Sequence, residues 1–332
     1  MSNNTTISVV IPAYNCEKTI AKCIQAALNQ DYPGQKELIV VDDGSTDNTP
    51  KTIQEMFNVK YLRQDNAGPA TARNRGFAES VGEFIFFTDS DCVPTNNWIS
   101  CVMQHFSDAG IGVVAGSYGI MNWESLLARC IFKEIQFRHQ KNMPKHPKSF
   151  GSYNFCVRRN VFKQVGGFTP QYRHASGEDN DLSYKILQTG HRICFERSSI
   201  VKHYFTEQLL QYLKEQFRHG FWRVKMYFDH PLMSFGDDYT FWKDIVEPPL
   251  VLGWMLCLSK ANFGASFYAG YANTLLLILL ILEVFYAAIF TKHHREAIYF
   301  GFVMFLRAFV RTAGFMCGIL TFFVKKPFKK VK

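Results

Sequence analysis

Four short apolar runs, separated by stretches of helical spacing, constrain this chain more than any other feature; they are Ile7-Ser8-Val9-Val10-Ile11-Pro12, Glu37-Leu38-Ile39-Val40-Val41, Val59-Lys60-Tyr61-Leu62 and Glu83-Phe84-Ile85-Phe86-Phe87. Between them, residues 17–30 place Ile20, Cys23, Ile24, Ala27 and Leu28 at helical intervals, and residues 49–57 and 69–80 read as two further helices. Apolar runs of this length suit strands buried on both faces. Their alternation with helices over about 90 residues predicts an α/β architecture, a doubly wound and mostly parallel sheet with helices on both faces.

Ligands of such sheets bind beyond the carboxyl ends of the strands. Pro12-Ala13-Tyr14-Asn15, Asp42-Asp43 and Thr88-Asp89-Ser90-Asp91 all fall there, so they are expected to line one crevice. On an extended chain Asp89 and Asp91 would face the same way. Two neighbouring carboxylates repel unless a cation lies between them. A divalent ion that prefers oxygen ligands and carries a diphosphate, Mn²⁺ or Mg²⁺, meets that need. An isolated Asp-x-Asp is common by chance and is usually a solvated turn. Its weight here comes from the other loops that converge with it.

The net charge of +9 is concentrated at one end. Residues 291–332 hold nine Lys and Arg against the single acid Glu296, which leaves residues 1–290 near neutral. A basic tail beside apolar segments favours a membrane with anionic lipids. No basic helix with interleaved aromatics reads as a groove reader, so nucleic acid is not an expected partner. The nine cysteines are scattered without a Cys-x-x-Cys pair, which fits a reducing compartment better than a disulfide framework or a zinc site. Residues 1–8 are polar and lead into a strand, so no signal peptide is expected.

Residues 121–141 and 206–228 read as amphipathic helices that pack on a core or touch a membrane surface. Residues 271–290 carry only one charge, Glu283, and are long enough to span a bilayer, and 249–268, apolar except for Lys260, is a weaker span. In 297–324, Arg307 and Arg311 share one helical face. A charge at the centre of a span costs roughly 2.5–3.5 kcal/mol, so this helix is expected to lie in the interface with its arginines outward, followed by the Lys-rich tail. Two spans would return that tail to the cytosolic side. The expected division is a catalytic region over 1–245, with a nucleotide-binding half (about 1–115) and an acceptor half (116–245), then a membrane region over 246–332.

Five motifs then occur in order: Val9-Val10-Ile11-Pro12-Ala13-Tyr14-Asn15, Val41-Asp42-Asp43-Gly44-Ser45-Thr46-Asp47, Asn66-Ala67-Gly68-Pro69-Ala70-Thr71-Ala72-Arg73-Asn74, Thr88-Asp89-Ser90-Asp91 and Gly177-Glu178-Asp179-Asn180-Asp181-Leu182. Together they resemble a family 2 glycosyltransferase of the GT-A fold, over roughly residues 7–205. The resemblance implies a nucleotide-sugar donor, UDP-linked by preference, and a lipid-linked or membrane-proximal glycan acceptor. It implies that Pro12, Ala13 and Tyr14 floor the base pocket and that Asp43 accepts a hydrogen bond from the base, though a loop-capping Asp before Gly44 would look the same. Gly68 would let backbone approach the ligand, and Arg73 would help hold the nucleotide or pair with Asp43 or Asp89. Asp89, with Ser90 beside it, would face the ribose and border the metal; Asp91 and His203 would ligate it. In the block Glu178-Asp179, Asp179 would be the general base and Asp181 the runner-up, although acids at a helix start also serve capping.

A Gln-x-x-Arg-Trp element is absent, since residues 216–222 read Gln-Phe-Arg-His-Gly-Phe-Trp, so a single transfer is expected rather than processive synthesis. A polyprenyl-phosphate sugar synthase and a non-catalytic sugar-nucleotide binder remain the other readings. Homo-oligomer formation is left open, as is the identity of the sugar, whose recognition rests on a few hydroxyl contacts.

Overall fold

The computed structural model describes residues 5–141, 143–172, 177–231, 233, 238, 242–262 and 267–324. In chain order the elements are β1 (Ile7–Ala13), α1 (Ile20–Leu28), β2 (Lys36–Asp42), α2 (Thr49–Gln54), β3 (Lys60–Arg63), α3 (Pro69–Ala78), β4 (Phe84–Thr88), β5 (Cys92–Pro94), α4 (Trp98–Met103), β6 (Ile111–Ile120), α5 (Leu126–Lys141), β7 (Asn154–Arg158), α6 (Arg159–Gln164), α7 (Glu178–Gln188), β8 (Arg192–His203), α8 (Leu209–Asp229), α9 (Trp242–Asn262), α10 (Phe267–Phe290) and α11 (His294–Ile319). They form two compact units, one of Met1–Asn122 with Arg138–Phe205, the other of Trp123–Phe137 with Thr206–Lys332.

The first unit is built on an eight-stranded sheet in the order β3-β2-β1-β4-β7-β6-β8-β5. β1 runs parallel to β2 and β4, and β2 parallel to β3, as the alternating runs predict. Beyond β4 the sheet departs from pure parallel winding. β7 inserts antiparallel between β4 and β6, β8 lies parallel to β6, and short β5 pairs antiparallel with β8 at the edge. One face buries Val9, Ile11, Val40, Phe84, Phe86, Trp98 and Cys156 in a continuous core. On the other, the Phe87 ring stacks on Phe155 at 4.9 Å and on Phe162 at 5.5 Å and meets Phe168 edgewise at 5.7 Å. α3 lies close on this face because Gly76 carries no side chain; a Cβ there would stand 2.3 Å from Val10.

The second unit packs α8 to α11 with the first part of α5. Helices α8 and α11 approach to backbone contact at Gly220 and Gly314, where a Cβ would stand 2.2 Å from the Arg311 carbonyl and 2.1 Å from that of Phe217. Among the described residues two helices are long and apolar enough to cross a membrane, Phe267–Phe290 and His294–Phe323. The weaker expected span at 249–268 falls partly on α9, with residues 263–266 outside the described residues, as are Lys325 to Lys332 of the basic tail.

The expectation that Arg307 and Arg311 face outward is overturned. Arg307 is 2% exposed and holds both Glu134 oxygens, at 2.8 and 3.2 Å, and the Tyr212 hydroxyl at 3.1 Å. Arg311 donates to Asp244 at 2.8 Å and to Gln216 at 2.6 Å. A charge can point inward when a fixed carboxylate neutralises it, and here Glu134 of α5 and Asp244 of α9 supply that carboxylate.

Candidate active site

β4 ends at Thr88, and the Asp89 carbonyl accepts the Cys92 N–H at 3.0 Å, closing a tight turn. Asp89 and Asp91 therefore leave the strand on a turn, not on the extended segment anticipated from their spacing, and take different partners. Asp89 accepts Arg73 Nη2 at 2.6 Å. Asp91 lies 3.2 Å from His203 Nε2. The β5–β8 register sets Cys92 opposite His203, and the Tyr204 N–H donates to the Asp91 carbonyl at 3.0 Å. The Tyr118 ring meets the His203 ring edgewise at 5.5 Å and stacks on Tyr153 at 3.4 Å, which limits how His203 can turn. Burial works against the Asp91 charge, but the neighbouring imidazole outweighs it and holds the carboxyl below its ordinary range. Ser90, in the same turn, lies beside the Cys16 thiol.

Candidate ligand atoms of Asp91, Cys92 and His203 lie within 4.8 Å of one another. A carboxylate oxygen and an imidazole nitrogen suit Mn²⁺ or Mg²⁺, Mn²⁺ accepting nitrogen more readily. The Cys92 thiol is buried and pushed well above its usual range, chiefly by burial and then by Asp91, so it stays a thiol. The residues present fit a hard divalent cation bound through Asp91 and His203.

The two acids at the end of β2, Asp42 within the strand and Asp43 just past it, divide their work. Asp42 accepts the Ser45 N–H, the Tyr61 hydroxyl and Arg63, tying β2 to β3. Asp43 is buried and accepts the Gln64 amide at 2.7 Å, the Ala67 N–H at 2.9 Å and the Gly68 N–H at 2.8 Å. Gly68 takes φ 91°, where a side chain would be strained, and starts α3. The Asp43 N–H in turn donates to the Ala13 carbonyl at 2.8 Å. Pro12 and Ala13 are buried in β1 while Tyr14 stands 50% exposed past its end. Asp43 thus knits together the loops anticipated as a base pocket.

Arg73 is buried on α3. One guanidinium nitrogen meets Asp89; the other meets Glu178 at 3.2 Å, with the Phe168 ring 5.3 Å from the guanidinium carbon. Of its two anticipated ion-pair partners the structure selects Asp89, and it adds Glu178. α7 opens at Gly177 in a left-handed conformation, φ 95°, which delivers Glu178 and Asp179 in its first turn. The Asp181 carboxylate accepts the Thr169 hydroxyl at 2.5 Å and pairs with Lys185 at 3.2 Å. These contacts brace the start of the helix. Asp179 is half-buried and accepts the Asn180 N–H at 2.8 Å. Its carboxyl is pushed up to about 7 by burial and then by the Glu178 charge, with Arg73 opposing.

The structure therefore joins Asp89, Arg73 and Glu178 in one contact chain, Asp91 with His203 in a second, and Asp43 with Gly68 in a third. Tyr118, Gln64 and the Glu178 pairing are the participants that sequence reasoning missed. No local signal marks Tyr118, because the β6–β8 register alone brings it beside His203.

A mixed α/β sheet with carboxylate loops at the ends of β2 and β4 and an acidic pair at the start of α7 defines a GT-A type transferase fold. A model of Glycosyl transferase family 2 matches residues 8–166. Glycosyltransferase AglE of Haloferax volcanii is 30% identical over 234 residues, covering 67% of this chain and 74% of that protein. The UDP-Glc:alpha-D-GlcNAc-diphosphoundecaprenol beta-1,3-glucosyltransferase WfgD of Escherichia coli is 34% identical over 128 residues, 38% of this chain and 50% of that protein. The chain spans about half the length of several other curated relatives, 49% of one and 48% of another. Mannosyltransferase PcManGT from Pyrobaculum calidifontis, solved with GDP-Man and Mn²⁺, shares the fold with TM-score 0.59 and 17% identity over 93% of this chain and 87% of that one. The chain belongs to glycosyl transferase family 2 and is a glycosyltransferase.

Proposed function

We propose that the protein is an inverting, metal-dependent, single-transfer glycosyltransferase that moves a sugar from a UDP-linked donor to a lipid-linked or membrane-proximal glycan. The observation that carries this reading is the Asp179 carboxyl, raised to about 7 at the start of α7 while its neighbours Glu178 and Asp181 are bound in ion pairs. A base whose affinity for protons lies near neutrality can take one from a hydroxyl and release it again. The relative WfgD acts, by its name, on UDP-glucose and a diphosphoundecaprenol-linked sugar, which supports the donor and acceptor classes.

The acceptor oxygen attacks the anomeric carbon as Asp179 takes its proton, and the bond from that carbon to the diphosphate oxygen breaks. One displacement inverts the centre. Mn²⁺ or Mg²⁺ held by Asp91 and His203, bordered by Asp89, would supply charge neutralisation for the departing diphosphate. Asp43, Gly68, Ser90, Pro12, Ala13 and Tyr14 shape the nucleotide pocket. The nine free cysteines and the apolar helices α10 and α11 support a catalytic unit on the cytoplasmic side of a membrane.

The test measures nucleotide release from a panel of UDP- and GDP-sugars by membranes holding the full chain, with and without Mn²⁺. Metal-dependent release lost in Asp91→Ala and Asp179→Asn supports the reading. Full turnover in Asp179→Asn would point to an acceptor that is already an oxyanion, such as a polyprenyl phosphate. No turnover with any donor, together with retained nucleotide binding, would favour a binding subunit.

A further inference from the structure

Arg73 has two carboxylate partners that belong to different parts of the reaction. Asp89 follows β4, on the donor side. Glu178 opens α7 and is the covalent neighbour of Asp179. The guanidinium is 1% exposed and lies 2.6 Å from Asp89 and 3.2 Å from Glu178. Glu178 is 2% exposed, and this cation lies within ion-pair distance of its buried carboxylate. α3 is held against the sheet by the Gly76 contact, and α7 is held by Lys185, which reaches the Gly167 carbonyl at 2.7 Å. Both carboxylates are thereby fixed at either end of a planar fork that can serve two acceptors at once.

We propose that Arg73 is a positioning residue that joins the donor loop to the base loop, holding Asp89 and Glu178 together and setting the charge environment in which Asp179 works. This rests on the reading of Asp179 as the general base. Glu178 beside it on α7 raises its proton affinity; Arg73 from α3 lowers it; Asp181, on the same helix, is paired with Lys185. The net charge around the base depends on how Arg73 divides itself between Asp89 and Glu178. A nucleotide that engages Asp89 therefore alters the base loop without touching it.

The consequence is readable in the pH dependence of kcat, measured by nucleotide release from the active donor with the full chain. Glu178→Gln removes the like charge and should move the ascending limb at least half a pH unit lower. Arg73→Met removes the cation and should move it at least half a pH unit higher, with Arg73→Lys in between. The pair Asp89→Asn and Glu178→Gln should couple in binding of the product nucleoside diphosphate with Mn²⁺, the double variant departing at least threefold from the product of the two single effects. A purely structural Arg73 would lower the melting temperature in all these variants and leave the limb in place, and that result with an inactive Asp179→Asn overturns the proposal. An active Asp179→Asn overturns instead the assignment of the base.

Discussion

His203 Nε2 sits 3.2 Å from an Asp91 carboxylate oxygen although the two lie more than a hundred residues apart in the chain. The pairing of β5 with β8 sets Cys92 opposite His203 and makes that contact a feature of the sheet, not of a loose loop. A preorganised pair of this kind costs little rearrangement to bind a cation.

His203→Ala should therefore weaken metal activation without destroying the fold. The expected effect is a tenfold to hundredfold rise in the Mn²⁺ concentration for half-maximal turnover, the scale seen when groups supporting a metal site are lost. Titration of activity against Mn²⁺ checks it. An unchanged midpoint would remove His203 from the site.

Asp179 gives a pH dependence with a defined sign. Catalysis needs its carboxylate, so turnover should rise with pH and reach half its maximum near 7. Asp179→Asn should cost 10²- to 10⁴-fold, the usual contribution of a positioned base. The same group acts on stability in the opposite sense. Its folded proton affinity exceeds the unfolded value, so stability declines as pH rises through the window from about 4 to 7. Asp179→Asn should raise the melting temperature at pH 8 relative to the parent and leave it unchanged below pH 4.

Asp43 should prove essential for structure as well as ligand. Asp43→Ala leaves the Ala67 and Gly68 N–H groups and the Gln64 amide without their acceptor. Of these the Gly68 N–H is buried, and orphaning it costs about 1–3 kcal/mol, with smaller losses from the partly buried Ala67 and Gln64 donors. Chemical denaturation should show a loss of at least about 2 kcal/mol, and a loss below about 0.5 kcal/mol would mean that the loop satisfies these donors otherwise.

In the second unit Arg307 and Glu134 should be strongly coupled. Removing one partner leaves a buried charge, so Arg307→Met should destabilise by about 3–5 kcal/mol, while Arg307→Met with Glu134→Leu should recover most of it. Thermal unfolding of the detergent-solubilised protein provides the comparison. Equal losses in the single and double variants would deny the pairing.

The parallel half of the sheet was readable because each strand announces itself locally, as in Ile7 to Pro12 and Phe84 to Phe87, and because neighbours in sequence are neighbours in space. β7 was not, since its partner β4 lies about seventy residues earlier and nothing local encodes the pairing. Residue types at the site were legible, but partners were less so. Arg73 could reach several acids by sequence, and only the packing of α3 decides between Asp43 and Asp89. Asp89 and Asp91 look equivalent by spacing, and one turn gives them separate partners, Arg73 and His203. The inward course of Arg307 and Arg311 has no local sequence signal because the acids that receive them, Glu134 and Asp244, lie on other helices.

The insertion of β7 also bears on how the chain is made. β1 to β4 are complete once Thr88 has been synthesised, but the outer edge of β4, Phe84-Ile85-Phe86-Phe87-Thr88, receives its partner only with Asn154–Arg158. At about 5–20 residues per second that leaves the edge open for several seconds. An apolar strand with free backbone groups invites pairing with another nascent chain. Slowed translation between residues 88 and 154 would lengthen this exposure and should lower the yield of soluble protein.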